Sequence, residues 1–159
     1  MLPVHSRKGD IMQKLLHRLH PLAGGIAILC IVSFMTASVA SELYGDALII
    51  AATKGRILWG LMVLIPCLAL TGLSGYRAAG GAPRGLAIVK LKRMRIIGIN
   101  GICMLVPCAF FLAARAAELR LDGVFYGVQS VELLAGSVNL GLMTLNFRDG
   151  LRIVRVRKR

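Results

Sequence analysis

Apolar residues run along this chain in four long blocks, at about 21–43, 57–76, 96–117 and 125–147, and charged or turn-forming residues collect between them. A helix crosses a bilayer core in roughly 20 residues at about 1.5 Å each, so every block is long enough to span. None alternates apolar and polar residues with the period of two that a barrel strand requires. The pattern predicts an all-α integral membrane protein with four transmembrane helices in an up-down bundle. A basic tail over 1–20 precedes the membrane domain of 21–147, and a second basic tail over 148–159 follows it.

Composition agrees with this reading: the chain of 159 residues is 57% hydrophobic, with a mean hydropathy of +0.73. Its 20 Lys and Arg against 7 Asp and Glu give a formal charge of +13, which alone would suit a nucleic-acid binder. The distribution argues otherwise. Sixteen of the basic residues fall in the N-terminal tail, the middle loop with its flanks (Arg77, Arg84, Lys90, Lys92, Arg93, Arg95) and the C-terminal tail. On the other side Lys54, Arg56, Arg115 and Arg120 are balanced by Glu42, Asp46, Glu118 and Asp122. The positive-inside rule then predicts cytoplasmic termini and a bacterial inner-membrane location. The basic ends are expected to meet anionic lipid headgroups and other membrane subunits, with no nucleic-acid role.

The first apolar block exceeds the h-region of a signal peptide and is expected to stay as a span. Residues 8–20 predict an amphipathic surface helix, with Ile11, Leu15, Leu16 and Leu19 on one face and Lys14 and Arg18 on the other. Gly80, Gly81, Pro83 and Gly85 predict a flexible link between two hairpins.

Comparing residue i with i+76 reveals nine identities in 22 over 25–46, among them Gly25/Gly101, Phe34/Phe110, Glu42/Glu118, Leu43/Leu119 and Asp46/Asp122. This predicts a tandem duplication of a helical hairpin, with copies related by an axis along the membrane normal. Matches in the second helices are sparser: Leu58/Leu134, Gly60/Gly136 and Leu64/Leu140.

Polar groups at membrane depth need partners, which makes them the first functional candidates. Gln129, Glu132, Gly136, Asn139, Met143 and Asn146 follow a 3-4 spacing that places them on one seam of the fourth span. Packing between helices and a ligand site both suit such a seam, and Asn100 in the third span extends it. Because Arg56 is the i−76 counterpart of Glu132, an Arg56–Glu132 ion pair is expected.

No residue set points to catalysis. Cys30, Cys67, Cys103 and Cys108 lie within the spans and form no C-x-x-C, so buried thiols are expected rather than a redox pair. His5, His17 and His20 all precede the first span, and no metal site is predicted. The segment 17–25 (HRLHPLAGG) resembles the histidine-bearing entries of membrane cytochrome helices, including succinate dehydrogenase anchors. That resemblance would make His20 a candidate ligand of haem b, but no histidine on a facing helix completes the pair. The expected function is a small non-enzymatic accessory or assembly subunit of a membrane complex. A haem- or quinone-handling electron-transfer subunit and a small transporter are the alternatives.

Overall fold

A computed structural model describes residues 4–78 and 85–157, with side chains described over 19–77 and 88–150. Helix α1 is Val4–Tyr44, α2 is Ala47–Ala78, α3 is Leu86–Asn100, α4 is Val106–Ala117 and α5 is Gly123–Arg157. A π-helical turn, Gly101–Leu105, joins α3 to α4 so that the two form one long helix. Four stretches are long and apolar enough to cross a membrane: Leu19–Tyr44, Ala47–Arg77, Ile88–Ala117 and Gly123–Gly150. The protein is all-helical among its described residues. The backbone of α1 continues through Pro21 without a break, while the side chains of the expected amphipathic face before Leu19 lie outside the described residues. So do Gly80, Gly81, Pro83 and Arg84 of the expected link.

The second helix begins ten residues before the expected boundary, at Ala47 instead of Ile57. Residues 47–53 (ALIIAAT) contain no helix breaker, and Asp46 caps them by accepting the Ile49 N–H at 2.9 Å. The first turn is therefore only Gly45 and Asp46, and Lys54 lies two helical turns inside α2. Asp122 repeats the cap at the start of α5, where it accepts the Phe125 N–H at 3.0 Å. Before it, Arg120 N–H reaches Arg115 O and Leu119 N–H reaches Ala116 O, the bond pair of a Schellman ending. Leu119 takes the left-handed position of that motif, φ 56°, which usually falls to glycine.

The π turn lies just before Pro107. Val106 N–H bonds to Gly101 O, one residue further back than in an α-helix. Proline has no N–H to offer Cys103 and its ring would crowd that carbonyl, so a widened turn accommodates it.

Helix α1 packs on α2 and α5, α4 packs on α2 and α5, and α3 packs mainly on α5. One apolar core gathers Ala27, Ile31, Leu61, Leu64, Ile97, Ala109 and Met143; a smaller one near the turns gathers Ile50, Leu112, Ala116 and Phe125. Close approach of α1 to α2 depends on Gly60, because a Cβ there would come within 2.3 Å of Phe34 Cζ. Leu, Ile and Val side chains, together with Trp59, face outward along the spans; Tyr44, Tyr126 and Tyr76 are exposed near span ends, where aromatic residues favour a membrane interface.

Burial along α2 marks Ile50, Lys54, Ile57, Leu61, Leu64, Thr71 and Ser74. Along α5 the inward seam is Phe125, Gln129, Glu132, Gly136, Asn139, Asn146 and Asp149, with the same spacing at a constant separation of 75 residues. The inward faces of the two helices thus coincide one residue away from the 76-residue register of the identities.

Candidate functional site

The most polar buried feature is built around Lys54, whose side chain is 2% exposed although it carries an ammonium. It reaches inward because the early start of α2 puts position 54 on the helix's buried seam. Its Nζ donates to Ser38 Oγ of α1 at 3.0 Å, to Gln129 Oε1 of α5, and to Glu132 Oε2 of α5 at 3.5 Å. Glu42 of α1 lies 3.7 Å away through Oε1, and the Phe125 ring centroid lies 5.8 Å away. One cation thus ties three helices by hydrogen bonds, ion pairing and a cation–π contact.

Two buried polar atoms at this centre have no hydrogen-bond partner among the described residues: Glu42 Oε1 and Gln129 Nε2. Beside it lies a cavity of about 50 Å³, lined by Ser38, Glu132, Gly136 and apolar side chains such as Phe34, Leu61 and Leu105.

Farther along α5 the seam changes character. Asn139, fully buried, accepts from Asn100 Nδ2 at 2.9 Å and donates to Ile97 O at 3.3 Å. Asn100 Nδ2 also reaches Ala135 O at 2.9 Å. Asn146 donates to Lys90 O at 3.4 Å. These amides stitch α5 to α3 just before the π turn. Beyond them, Arg93 and the buried Asp149 form an ion pair at 2.7 Å, with Arg148 Nε 4.0 Å from the same carboxylate.

The structure brings Asn100, Asn139 and Asn146 into one α3–α5 contact, and it gathers Gln129 and Glu132 into another. Glu132 is paired with Lys54 rather than with Arg56, which is exposed. The physical cause is the register. In the 75-residue spacing of the inward faces the counterpart of Glu132 is Ile57, and Arg56 sits about 100° round the helix from it. A second span that begins at Ile57 leaves Lys54 among the turn residues, so the apolar blocks alone do not mark it as buried. The apolar run 47–52 leading straight into Lys54 was the signal that could have revealed it.

His20 contributes elsewhere. Its Nδ1 lies 2.8 Å from Ser74 Oγ, so the ring bridges α1 to the far end of α2. Among the described residues no three His, Cys, Asp or Glu side chains are grouped to hold a metal. Cys30 and Cys67 pack against the main core and Cys103 is exposed. At the second turn, a hydrogen bond from Arg115 and then the Phe125 N–H hold the Asp122 carboxyl below the usual carboxylate range.

Comparison with protein-family models, with curated proteins and with solved structures finds no match for this chain.

Proposed function

We propose that this chain is a small non-enzymatic protein of a bacterial inner membrane, an accessory or assembly subunit that joins a larger membrane complex. The observation that carries the reading is where the polar groups go. Lys54, Gln129, Glu132, Asn100, Asn139 and Asn146 are engaged with one another or with backbone carbonyls between helices. The outward surface that remains is apolar along the spans and basic at Arg77, Lys92, Arg95 and Arg148. Such a surface suits docking against other spans and against anionic headgroups.

In this proposal the spans form an up-down bundle with cytoplasmic termini, as the positive-inside rule favours. A duplicated hairpin origin is supported by the identities at a spacing of 76 and by the Asp46 and Asp122 caps, which keep that spacing. Purification in mild detergent followed by mass spectrometry and a visible spectrum tests the function. The expected result is a colourless assembly containing a second membrane protein in fixed ratio. A particle made of this chain alone would overturn the subunit reading, and a Soret band would favour the haem-handling one.

A second reading, a small transporter, draws on a specific observation. The Lys54 centre combines buried charge, two polar atoms without a hydrogen-bond partner among the described residues and an adjoining cavity, the makings of a site that takes a guest. Uptake of ions or protons into vesicles containing the purified protein would distinguish it from a docking subunit.

A further inference from the structure

Three charged side chains meet at the Lys54 centre, and their formal charges do not cancel. Glu132 feels Lys54 and Glu42, and Glu42 feels Lys54. From the remaining helix of the bundle, α4, the titratable neighbour is the Cys108 thiol, which lies in the field of Glu132. With both glutamates ionised the centre would carry one surplus negative charge in a low-dielectric interior, where an uncompensated charge is strongly disfavoured.

The contacts at Nζ show how these charges are arranged. An ammonium has three N–H donors, and Lys54 directs three at Ser38 Oγ, Gln129 Oε1 and Glu132 Oε2. The Gln129 carbonyl can only accept and two carboxyl groups lie within 3.7 Å of Nζ, surroundings that favour the cation. Glu42 Oε1 lies 3.7 Å from the same Nζ and Glu132 Oε2 lies 3.5 Å from it, so two carboxyl groups flank one ammonium at nearly equal distance. Gln129, 2% exposed, spends its carbonyl on Lys54 and leaves Nε2 without an acceptor at the same place.

We propose that the Lys54 centre is a proton-binding site, in which Glu42 and Glu132 flank the Lys54 ammonium and hold one exchangeable proton between them. The step is a simple protonation: a proton from water forms the O–H bond of one of the two carboxyl groups, hydroxide is left in the bulk, and nothing is oxidised or reduced. Glu42 lies at the end of α1 beside the Gly45–Asp46 turn and is 17% exposed. Glu132 faces the cavity on the inner side. This site stands apart from the docking proposal, because a subunit with or without a partner can hold the proton.

Counting protonated glutamates tests the proposal. The chain has three glutamates, and the third, Glu118, is exposed in the turn before α5. Full-length protein labelled with isotopic glutamate is placed in lipid vesicles at neutral pH, and infrared spectra in water and heavy water read the carbonyl stretch of protonated carboxyl groups. Wild type should show one such glutamate. Glu42→Gln should show none, because Glu132 then ionises to pair with Lys54. Glu132→Gln should also show none, because Glu42 then ionises to pair with Lys54. Lys54→Met should show two. No protonated glutamate in wild type, or its survival in either glutamine variant, overturns the proposal. If Lys54→Met does not fold, the other three proteins still decide it.

Discussion

Gln129 and Asn139 are both amides, both almost wholly buried and both on the inward seam of α5, yet they are used differently. Asn139 spends both ends of its amide on α3, through Asn100 and the Ile97 carbonyl, and both of these contacts are local, neutral and closed. Gln129 spends its oxygen on a lysine and leaves its nitrogen without a hydrogen-bond partner among the described residues, and Glu42 Oε1 lies 3.7 Å from the same lysine. The Asn100–Asn139 pair behaves as a fastener, whereas Asn146 farther along leaves its buried Oδ1 without a hydrogen-bond partner among the described residues. The lysine half has capacity to spare, and spare hydrogen-bonding capacity at membrane depth is what a bound proton or other guest would use.

The largest effect that separates the halves should come from Lys54→Met, which strands two carboxyl groups inside the bundle. Breaking a buried ion pair from one side costs roughly 3–5 kcal/mol, and denaturant titration in detergent should show a loss of that order. A loss below about 1 kcal/mol, the range of exposed pairs, would mean that the lysine end is solvated and the contrast fails.

Asn139→Ala should cost much less. Interhelical hydrogen bonds in membranes average about 0.6 kcal/mol, so losing two predicts a drop near 1 kcal/mol. A double-mutant cycle with Asn100→Ala should return a coupling of about 0.6 kcal/mol; zero coupling would remove the fastener from the comparison.

Leu119→Gly acts at the turn beside the lysine end. A left-handed non-glycine residue costs about 1–2 kcal/mol, glycine gives back part of that in the unfolded chain, and the variant should melt slightly higher, by about 0.5 kcal/mol. A lower melting temperature would show that the exposed leucine side chain holds the turn.

The smallest effect concerns acid. Arg115 and the Phe125 N–H hold Asp122 below the usual carboxylate range, so its contribution is present above the unfolded value of about 3.9 and is lost as pH falls through the folded one. Asp122→Asn keeps the cap without the charge. Wild type should therefore lose more thermal stability than this variant between about pH 5 and pH 3, and parallel profiles would contradict the assignment.

Much of this was legible in the residues. The apolar blocks gave four helices, and the 3-4 spacing of Gln129, Glu132, Asn139 and Asn146 gave an inward seam before any contact was known. The ion pair at Glu132 was not legible, for two physical reasons. A lysine near a span boundary has the same composition signature whether it snorkels to water or turns inward, and only the helix start distinguishes these. The 76-residue identities also set a register that packing does not follow: Ala37 and Ala40 are exposed, whereas Ala113 and Ala116 are buried.

The π turn at Gly101–Leu105 gives that mismatch a form. Beyond it, Ala113 and Ala116 of α4 match the inward Ser38 and Ser41 of α1 at a spacing of 75, while before it Ile97 matches Ala23 at 74. The wide turn absorbs one residue and works as a phase shifter within a continuous helix. Upstream of it the span presents Asn100 to α5, and downstream it presents Ala109 and Leu112 to the bundle. Deleting one residue there would rotate one half about 100° against the other, so this span could keep its amide contact or its apolar face, but not both.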